Sequence, residues 1–372
     1  SQPIARLSLN DGIHTALDQL NAALPDTEFK SDLMAALRQA YTPGRSMAAA
    51  FGVWLEHVLG PHGLVVYDSS DPSTKALARD VFVKEISQPG HTARIASKAG
   101  EALVAKGYHA QAHLADGTVS VFHLNAERAP IRITGNTATV GEHSMTVAEL
   151  LEEATTHPEH FSPNVLLRPL VQDTVFPTIC YVAGPNELAY LGQLKDVYAH
   201  FGVPMPLFYQ RGTATLADSA TLRFLGKYDL PITALRAQDE SALNQLLESQ
   251  LPPTVEQALT SMSSLVDERM AAVAAAVPQI DPTLEGAVKS TLGKMQHEVQ
   301  TLHNKVIQAA KRRDDTLRRQ FQRAQALTFP QGHPQEREVG FVWFLNRYGP
   351  ALVDRLMEEL PLPMGNHWVL TI

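Results

Sequence analysis

The sequence predicts an α/β fold that carries two insertions, a small antiparallel sheet and a long antiparallel α-helical coiled coil. Three observations support this prediction. Short apolar runs alternate with polar turns and amphipathic stretches, several strand-like segments lie between about residues 107 and 147, and a heptad repeat follows residue 252. Alternating strand, turn and helix is typical of a parallel sheet, and heptads indicate helices that pack along a seam.

The first segment is predicted to be helical as far as about residue 62, because its apolar residues recur at helical spacing. The apolar run 64–68 then predicts a short strand. Asp71 and Pro72 follow this run and are typical of a helix start. This order predicts the first strand–helix unit of a parallel sheet.

The antiparallel insert is expected to hold three short strands, at 119–124, 130–133 and 137–140. The strand–helix alternation then resumes, with strands predicted at 165–170, 178–183 and 206–209. Between the last two strands, a helix opens at Gly184 and is expected to continue to Tyr198.

A coiled coil is predicted from the apolar seam after residue 252, which advances in steps of three and four residues. The seam extends from Val255 to Val277, is interrupted by prolines, and continues from Leu284 to Ala309 before a slip in the repeat. Two such helices joined by a short turn form an antiparallel hairpin. Its second helix is about 65 Å long at about 1.5 Å per residue.

The predicted organisation has three parts. Residues 1–251 form the α/β body with its insert, residues 252–328 form the coiled-coil hairpin, and residues 329–372 return to the body. The last part ends in the apolar run 368–372, which we expect to complete the main sheet as a strand.

Composition excludes several classes of protein. With 44% hydrophobic residues among 372 and a net charge of −8, the chain has enough apolar material for a folded core and is not disordered. Its single cysteine excludes a disulfide framework and a multi-thiolate zinc site, and suits a reducing cytoplasm. No apolar run is long enough to span a membrane. We therefore expect a cytoplasmic protein without a membrane partner.

Most motifs of catalysis and metal binding are absent from the sequence, including phosphate-binding and dinucleotide-binding loops. His157 and His160 form a bare HxxH pattern, for which a surface loop is the favoured interpretation. His109 and His113 lack a third ligand, so no metal is expected. Cys180 lies inside a predicted strand, where we expect a buried and unreactive thiol.

A stripe of basic residues lies late in the second coiled-coil helix, at Lys305, Lys311, Arg312, Arg313, Arg318, Arg319 and Arg323. Such a stripe is one feature of nucleic-acid-binding proteins. However, Asp314 and Asp315 interrupt it, and no aromatic residues for base stacking accompany it. A solvated helix face or a contact across a dimer is favoured, and no nucleic acid partner is expected.

The segment from Arg168 to Arg211 is the best candidate for a functional site. A predicted strand leads into the helix at Gly184, whose first N–H groups suit an anionic substrate group. Ligands of open α/β sheets bind past the carboxyl ends of the strands, where both arginines are expected to lie and to bind carboxylates. Glu187 and Tyr190 occupy the first turns of the helix. An equally weighted interpretation is that Glu187 is an ordinary first-turn acid and Tyr190 is a core aromatic residue.

The chain resembles a known family. The run FSPNVLLRPLVQDTVFPTICYVAGPNELAYLGQLKDVYAHFGVPMPLFYQR is similar to the central signature of the bacillithiol-biosynthesis cysteine-adding enzymes. The stretches GLVVYDSSDPSTKAL, GYHAQ and FPQGHPQERE also match, so the resemblance covers essentially the whole chain. It implies a Rossmann-like core with connecting inserts and a coiled coil through which a homodimer forms.

The resemblance implies a carbon–nitrogen ligase that joins cysteine to glucosaminyl-malate through an amide bond in the last step of bacillithiol synthesis. ATP or another adenine nucleotide is the implied co-substrate. Arg168, Arg211 and the backbone N–H groups of Gly184 and Asn186 are expected to hold substrate carboxylates. Glu187 or Asp173 is expected to bind the cysteine ammonium or to accept a proton from the glucosamine amine.

Further residues are assigned only through the family blocks. Gln172 and Tyr190 are expected to orient the substrate by hydrogen bonds, and Gln335 and Arg337 to make nucleotide or structural contacts. Family members also have a substantial N-terminal segment, so the chain is expected to begin inside the Rossmann unit. Two other functions stay open: a class I synthetase-like nucleotidylating ligase for another amino acid, and a non-catalytic coiled-coil scaffold.

Overall fold

The computed structural model describes residues 4–112, 118–124, 128–313 and 315–372. The chain divides into two compact units. The first, called the body unit, consists of Ser1–Thr213 and Phe341–Asn366, and the second, called the helical unit, consists of Ala214–Gly340 and His367–Ile372.

The helices in chain order are α1 (Gly12–Ala23), α2 (Lys30–Ala40), α3 (Met47–Leu59), α4 (Arg79–Ser87), α5 (His91–Val104), α6 (Val147–Thr156), α7 (Arg168–Val175), α8 (Pro185–Leu191), α9 (Lys195–Phe201), α10 (Ser219–Lys227), α11 (Ser241–Ser249), α12 (Pro253–Ala276), α13 (Glu285–Arg313), α14 (Asp315–Thr328), α15 (Gln335–Glu338), α16 (Phe341–Tyr348) and α17 (Ala351–Glu359). The strands are β1 (Thr118–Leu124), β2 (Arg128–Thr134), β3 (Thr137–Val140), β4 (His143–Thr146), β5 (Phe161–Pro163), β6 (Cys180–Ala183), β7 (Leu207–Gln210), β8 (Thr213–Ala217) and β9 (His367–Thr371).

The body unit begins with the predicted helical segment, which forms α1 to α3. These helices bury a shared apolar cluster that includes Leu37 and Trp54, and Leu345 of α16 packs against it. The strand predicted at 64–68 is wrong. The run forms no regular secondary structure, no described strand pairs with it, and Val65 is exposed. A short 3-10 helix, Pro72–Ala78, follows, and the Asp71 side chain caps it by accepting a hydrogen bond from the Ser73 N–H at 2.9 Å.

The predicted antiparallel insert is confirmed. It forms a five-stranded sheet in the order β4-β3-β2-β1-β5. Its register pairs Ile131 with Val140 and Phe122 with Ser162. One face of this sheet is buried, since Val119, Val121, Ile131, Ala138 and Val140 belong to the largest apolar cluster of the body unit.

The strand predicted at 165–170 is wrong, because the chain turns there and begins α7 at Arg168. The Asn164 side-chain oxygen accepts hydrogen bonds from the N–H groups of Leu166 at 2.9 Å and Leu167 at 3.3 Å. This turn competes with strand pairing, and Pro169 in the first turn of the helix is a favoured helix-start residue. Leu166, Leu167 and Leu170 of this run are buried without strand pairing, whereas Val165 is exposed.

The two strands β6 and β7 form a parallel pair, as the alternation of strands and helices predicts. Their register joins Cys180 to Leu207 and Ala183 to Gln210. Tyr181 and Ala183 are buried, whereas Cys180 lies on the opposite face and is exposed. The expectation of a buried thiol is therefore wrong, because one face of this short sheet is not covered.

The helix predicted from Gly184 to Tyr198 is interrupted and forms α8 and α9. Gln193, between them, is fully buried. Its side-chain oxygen accepts hydrogen bonds from the N–H groups of Gln111 and Ala112, both at 3.0 Å, and its amide nitrogen donates to the Ala96 carbonyl at 3.1 Å. These bonds tie the interruption to α5 and to the following loop.

In the helical unit, α12 and α13 form the predicted hairpin, joined by the turn 277–284. Seam residues such as Val266 and Leu292 are half-buried along helices that are otherwise largely exposed. Across the hairpin, the Gln296 amide donates to the Asp267 carboxylate at 2.8 Å. The heptad pattern thus identified most of the contacting residues, whereas the seam residues Val273, Met295 and Leu302 are exposed.

The boundary between the units lies near residue 213, whereas the sequence analysis ended the body at residue 251. The intervening residues pack on α14: Leu235, Leu243 and Leu247 share an apolar cluster with Leu317 and Phe321. No local pattern in the sequence assigns these leucines to a partner. Their burial against α14 places them in the helical unit.

The C-terminal run forms strand β9, but it pairs with β8 in a separate two-stranded sheet and does not complete the main sheet. Ile372 donates its N–H to the Ala217 carbonyl at 3.0 Å, and the Thr215 hydroxyl and the His367 ring lie 2.8 Å apart. That part of the prediction is wrong because an apolar run indicates a strand without indicating its neighbour. Among the described residues, no helix has both the length and the apolar character needed to cross a membrane.

Candidate active site

Four side chains meet around Arg168, and we call them the Arg168 cluster: Arg168, Tyr181, Glu187 and Tyr190. The Nη2 atom of Arg168 donates hydrogen bonds to the Tyr181 hydroxyl at 2.9 Å, to the Glu187 carboxylate at 3.3 Å and to the Tyr190 hydroxyl. Tyr181 in turn donates to Glu187 at 3.1 Å. The cluster joins the start of α7, the strand β6 and the helix α8.

Arg168 and Tyr181 of the cluster each have a raised pKa. Burial alone lowers the pKa of the Arg168 guanidinium, but the hydrogen bond to Tyr181 and the charges of the two tyrosines outweigh burial and raise it. Burial raises the pKa of the Tyr181 hydroxyl, and the neighbouring Arg168 only partly offsets this effect. Arg168 therefore stays cationic and Tyr181 stays protonated near neutral pH.

Glu187 also fixes the start of α8. Its second carboxylate oxygen accepts the N–H of Gly184 at 3.1 Å, so this N–H is already engaged. Asn186 is exposed in the first turn of the same helix. Glu187 is thus both a first-turn acid of α8 and a member of the Arg168 cluster, so the two sequence-based interpretations of this residue do not exclude each other.

Gly184 and Arg211 come together as expected at the carboxyl ends of β6 and β7. The Arg211 N–H donates to the Ala183 carbonyl at 2.9 Å. A Cβ built on Gly184 would lie 3.8 Å from the Arg211 guanidinium carbon and 3.8 Å from the Glu187 carboxylate. Arg211 and Glu187 therefore flank the same point of the backbone.

Asp173 and Gln172 lie one turn further along α7, beside the cluster rather than in it. The Tyr198 hydroxyl donates to the Asp173 carboxylate at 2.5 Å, and the Gln172 amide approaches the other Asp173 oxygen at 3.4 Å. Burial, and then the hydrogen bond to Asp173, raise the pKa of Tyr198 strongly. Asp173 is thus held by a buried tyrosine that stays protonated.

Gln335 and Arg337 lie in the helical unit, where Gln335 is buried and Arg337 is exposed. Gln335 is only 2% exposed. Its side-chain oxygen accepts the Leu216 N–H at 2.8 Å, and its amide donates to the carbonyls of Leu216 at 2.9 Å and Leu327 at 2.8 Å. These bonds engage both amide hydrogens in structural contacts. Arg337 is exposed, and its side chain lies 3.9 Å from the Glu336 carboxylate.

A cavity of about 430 Å³ adjoins the cluster within the body unit, and Arg168 and Gln172 line it. Its other charged lining residues are Arg6, Lys75 and Arg128. The sequence analysis did not identify these three residues or Tyr181. The alternation along β6 places Tyr181 on the same face as Ala183, which was a usable signal. No motif or local pattern in the sequence indicates that Arg6, Lys75 and Arg128 lie close together.

The HxxH histidines contact a glutamate. The Glu153 carboxylate lies 2.7 Å from the His160 ring and 3.0 Å from the ring of His123, which is 1% exposed. Burial raises the pKa of Glu153, but the hydrogen bonds to both histidines outweigh burial and lower it. These three groups and the neighbouring set His157, Glu159 and His160 each have their ligand atoms within 4.8 Å of one another. They hydrogen-bond to one another, but the buried Nδ1 atom of His123 has no partner among the described residues. His113 and the side chains of Lys311, Arg312 and Arg313 lie outside the described residues.

The fold and the site define a protein with a Rossmann-like domain and a coiled-coil domain, and comparisons with known sequences agree. Residues 1–212 match the N-terminal Rossmann-like domain of bacillithiol biosynthesis BshC, and residues 214–372 match its C-terminal coiled-coil domain. The chain therefore belongs to the bacillithiol biosynthesis BshC family. The predicted fold class and the resemblance to this family are confirmed.

Several curated relatives carry the name "Putative cysteine ligase BshC". The protein from Salinibacter ruber is 33% identical over 377 residues, which cover 99% of this chain and 68% of the relative. The protein from Chlorobium phaeobacteroides is 29% identical over 376 residues, covering 96% and 66%. The protein from Koribacter versatilis is 31% identical over 358 residues, covering 96% and 66%. The chain thus spans about two thirds of the length of these relatives.

Proposed function

We propose that this protein acts in bacillithiol synthesis as a ligase that joins cysteine to glucosaminyl-malate through an amide bond. The observation that supports this most strongly is the Arg168 cluster beside a cavity. All side-chain hydrogen bonds found for Arg168 among the described residues use Nη2. Its Nε and Nη1 groups are thus available to a substrate carboxylate, for which a guanidinium is the best-matched side chain.

Amide formation requires an activated cysteine carboxylate, and we propose that an adenine nucleotide supplies the phosphoryl or adenylyl group. The glucosamine amine then attacks the activated carbonyl carbon, the phosphorylated group leaves, and the amine loses a proton. The engaged amide of Gln335 does not favour a nucleotide contact, so the exposed Arg337 is the better candidate of these two residues.

Glu187 and Asp173 are the candidate acidic groups. Glu187 is the better candidate for binding the cysteine ammonium, since its carboxylate lies in the cluster with Arg168, which would hold the carboxylate of the same amino acid. Asp173, held by Tyr198, is the candidate acceptor of the amine proton. Tyr190 and Gln172 would orient the bound substrate by hydrogen bonds. We also propose that Arg211 and the first turn of α8 assist in carboxylate binding.

The test is thiol profiling by mass spectrometry in a bacillithiol-producing host that lacks this gene. We expect the deletion to accumulate glucosaminyl-malate and the unaltered gene to restore bacillithiol. Arg168→Ala and Glu187→Gln are expected to lower bacillithiol by about tenfold or more, because each removes a charged substrate contact. The exposed Arg94→Ala is the matched control and should restore it fully.

Two results would contradict these proposals separately. Unchanged thiols in the deletion strain would refute the pathway assignment. Full bacillithiol from both cluster variants would leave the pathway intact and refute the site.

A further inference from the structure

The cavity beside the Arg168 cluster has an unusual balance of charge. Four cationic side chains line it, Arg6, Lys75, Arg128 and Arg168, and no aspartate or glutamate is among its lining residues in the part of the chain that the structure describes. Hydroxyl groups of Ser69, Thr74 and Ser162 line it as well. We call it the cationic cavity. Its volume of about 430 Å³ is within the range of small-molecule sites.

Lys75 is the most informative of these residues. It lies in the 3-10 helix Pro72–Ala78 and is only 6% exposed. Among the described residues, its ammonium group has no hydrogen bond or ion pair. A buried ammonium without an anion is costly, and proteins rarely retain one without a partner. Burial, and then the charge of Arg6, lower the pKa of Lys75, and Asp68 only partly opposes them.

Asp68 is the acid whose charge raises the pKa of Lys75, and one of its oxygens already accepts hydrogen bonds from Ser70. One Asp68 oxygen accepts hydrogen bonds from the Ser70 N–H at 2.8 Å and from the Ser70 hydroxyl at 2.7 Å. These bonds shape the loop before the 3-10 helix. Among the described residues, no carboxylate makes a direct contact with the Lys75 ammonium group.

Arg128 is held rigidly at the same cavity. Its guanidinium lies over the Phe122 ring, 3.9 Å from the ring centroid, and donates to the Pro163 carbonyl at 3.0 Å. Burial lowers the pKa of this guanidinium as well. Because stacking and one hydrogen bond already fix its orientation, binding an anion there costs little additional conformational entropy.

We propose that the cationic cavity binds a compact group with two negative charges, with Lys75 as its principal ligand. Two carboxylates or a phosphate have the required charge and acceptor atoms. The source would be the malyl dicarboxylate of the sugar substrate or a phosphate of the nucleotide. Only this choice of source rests on the function proposed above.

The test is calorimetric titration of the 372-residue chain with L-malate and, separately, with pyrophosphate. Dimethyl malate, which lacks the charges, is the ligand control. We expect one of the two anions to bind and dimethyl malate not to bind. Lys75→Met should weaken anion binding by about tenfold or more, whereas Lys98→Met, which removes an exposed lysine of α5, should leave it unchanged.

A second variant keeps the proposal testable if Lys75→Met does not fold. Ser69→Asp places a carboxylate at the cavity wall without removing a buried group, and it should abolish binding by repulsion. Binding of malate supports the dicarboxylate source, and binding of pyrophosphate alone supports the phosphate source. Failure of both anions to bind the unaltered chain, or equal affinity in the folded variants, would overturn the proposal. Because the readout is binding, it is independent of whether cysteine is ligated.

Discussion

Tyr181 connects the two opposite charges of the Arg168 cluster. Its hydroxyl accepts a hydrogen bond from Arg168 at 2.9 Å and donates one to Glu187 at 3.1 Å. A phenol can do both at once, and burial keeps it protonated. The arginine and the glutamate are therefore held at fixed positions in the absence of substrate.

We predict that Tyr181→Phe removes this support. The free energy of unfolding should fall by about 1–2 kcal/mol, because two hydrogen bonds to charged groups are lost. Bacillithiol formation in the complemented deletion strain should fall as well. Tyr209→Phe is the matched control, since it removes a surface hydrogen bond to the Leu362 carbonyl at 2.7 Å. Equal activity in both variants would show that the cluster does not contribute to function.

Glu85 is a buried acid outside the site. Its carboxylate accepts hydrogen bonds from the Ser120 N–H at 2.7 Å and from the Thr92 hydroxyl. Burial raises the pKa of Glu85, and these hydrogen bonds only partly offset the rise. The folded protein thus binds this proton more tightly than the unfolded chain does. The stability that Glu85 contributes is complete below the unfolded pKa and is lost as the pH rises through the folded pKa.

We therefore predict a pH dependence with a defined sign. The free energy of unfolding of the unaltered chain minus that of Glu85→Gln should fall as the pH rises above the ordinary glutamate pKa of about 4.3. Urea denaturation at a series of pH values measures it. Glu149→Gln should give the opposite slope, because hydrogen bonds from Thr146 lower the pKa of Glu149. A difference for Glu85 that rises with pH would contradict the assignment.

At the scale of elements, the start of α7 determines where Arg168 lies. Asn164 is buried, and its side-chain oxygen accepts two N–H groups in the turn between β5 and α7. The Arg168 N–H then donates to the Asn164 carbonyl at 2.9 Å. One residue thus joins the edge of the antiparallel sheet to the helix that carries Arg168 and Asp173.

We predict that Asn164→Ala lowers the free energy of unfolding by about 1–3 kcal/mol, because two buried N–H groups lose their acceptor. Bacillithiol formation should fall with it, since Arg168 is displaced. Thr146→Ala, which removes the cap of α6, should cost about 1 kcal/mol and leave activity unchanged. If the two variants have the same activity, the turn has only a structural role.

At the scale of the whole molecule, the hairpin leaves apolar residues exposed after its two helices have packed. Leu265 of α12 is 50% exposed, and Leu302 of α13 is 46% exposed. Exposed apolar residues along a coiled coil are typical of contact with another copy or partner. We propose that they contact a second copy in the homodimer that the family resemblance implies.

We predict that the unaltered chain has twice the chain mass in light scattering. The double variant with Leu265→Lys and Leu302→Lys should be monomeric, because burying two ammonium groups opposes association. Val65→Lys, at an exposed apolar residue of the body unit, is the control and should stay dimeric. A dimer that persists in the double variant would place the interface elsewhere.

Much of the architecture was predictable because local periodicity reports it directly. The heptad seam identified most of the contacting residues of α12 and α13, and the alternation in the insert identified three of its strands but missed β4. The candidate site was predicted in part: Arg168, Glu187 and Tyr190 do meet, and Arg211 flanks Gly184. The two errors of strand assignment have a common cause. Both apolar runs, 64–68 and 165–170, suit burial in a sheet, but pairing depends on a distant partner and on the competing turn at Asn164.

By itself, the sequence determined the α/β class, the antiparallel insert, the helical hairpin and the family, since these depend on patterns within short windows or on contiguous blocks. Only the tertiary structure decided that Lys75, Arg128 and Arg168 line one cavity, that Cys180 is exposed and that the last strand pairs with β8. Each of these depends on which distant surface packs against a residue. That choice is made by burial summed over the whole molecule and leaves no periodic signal along the chain.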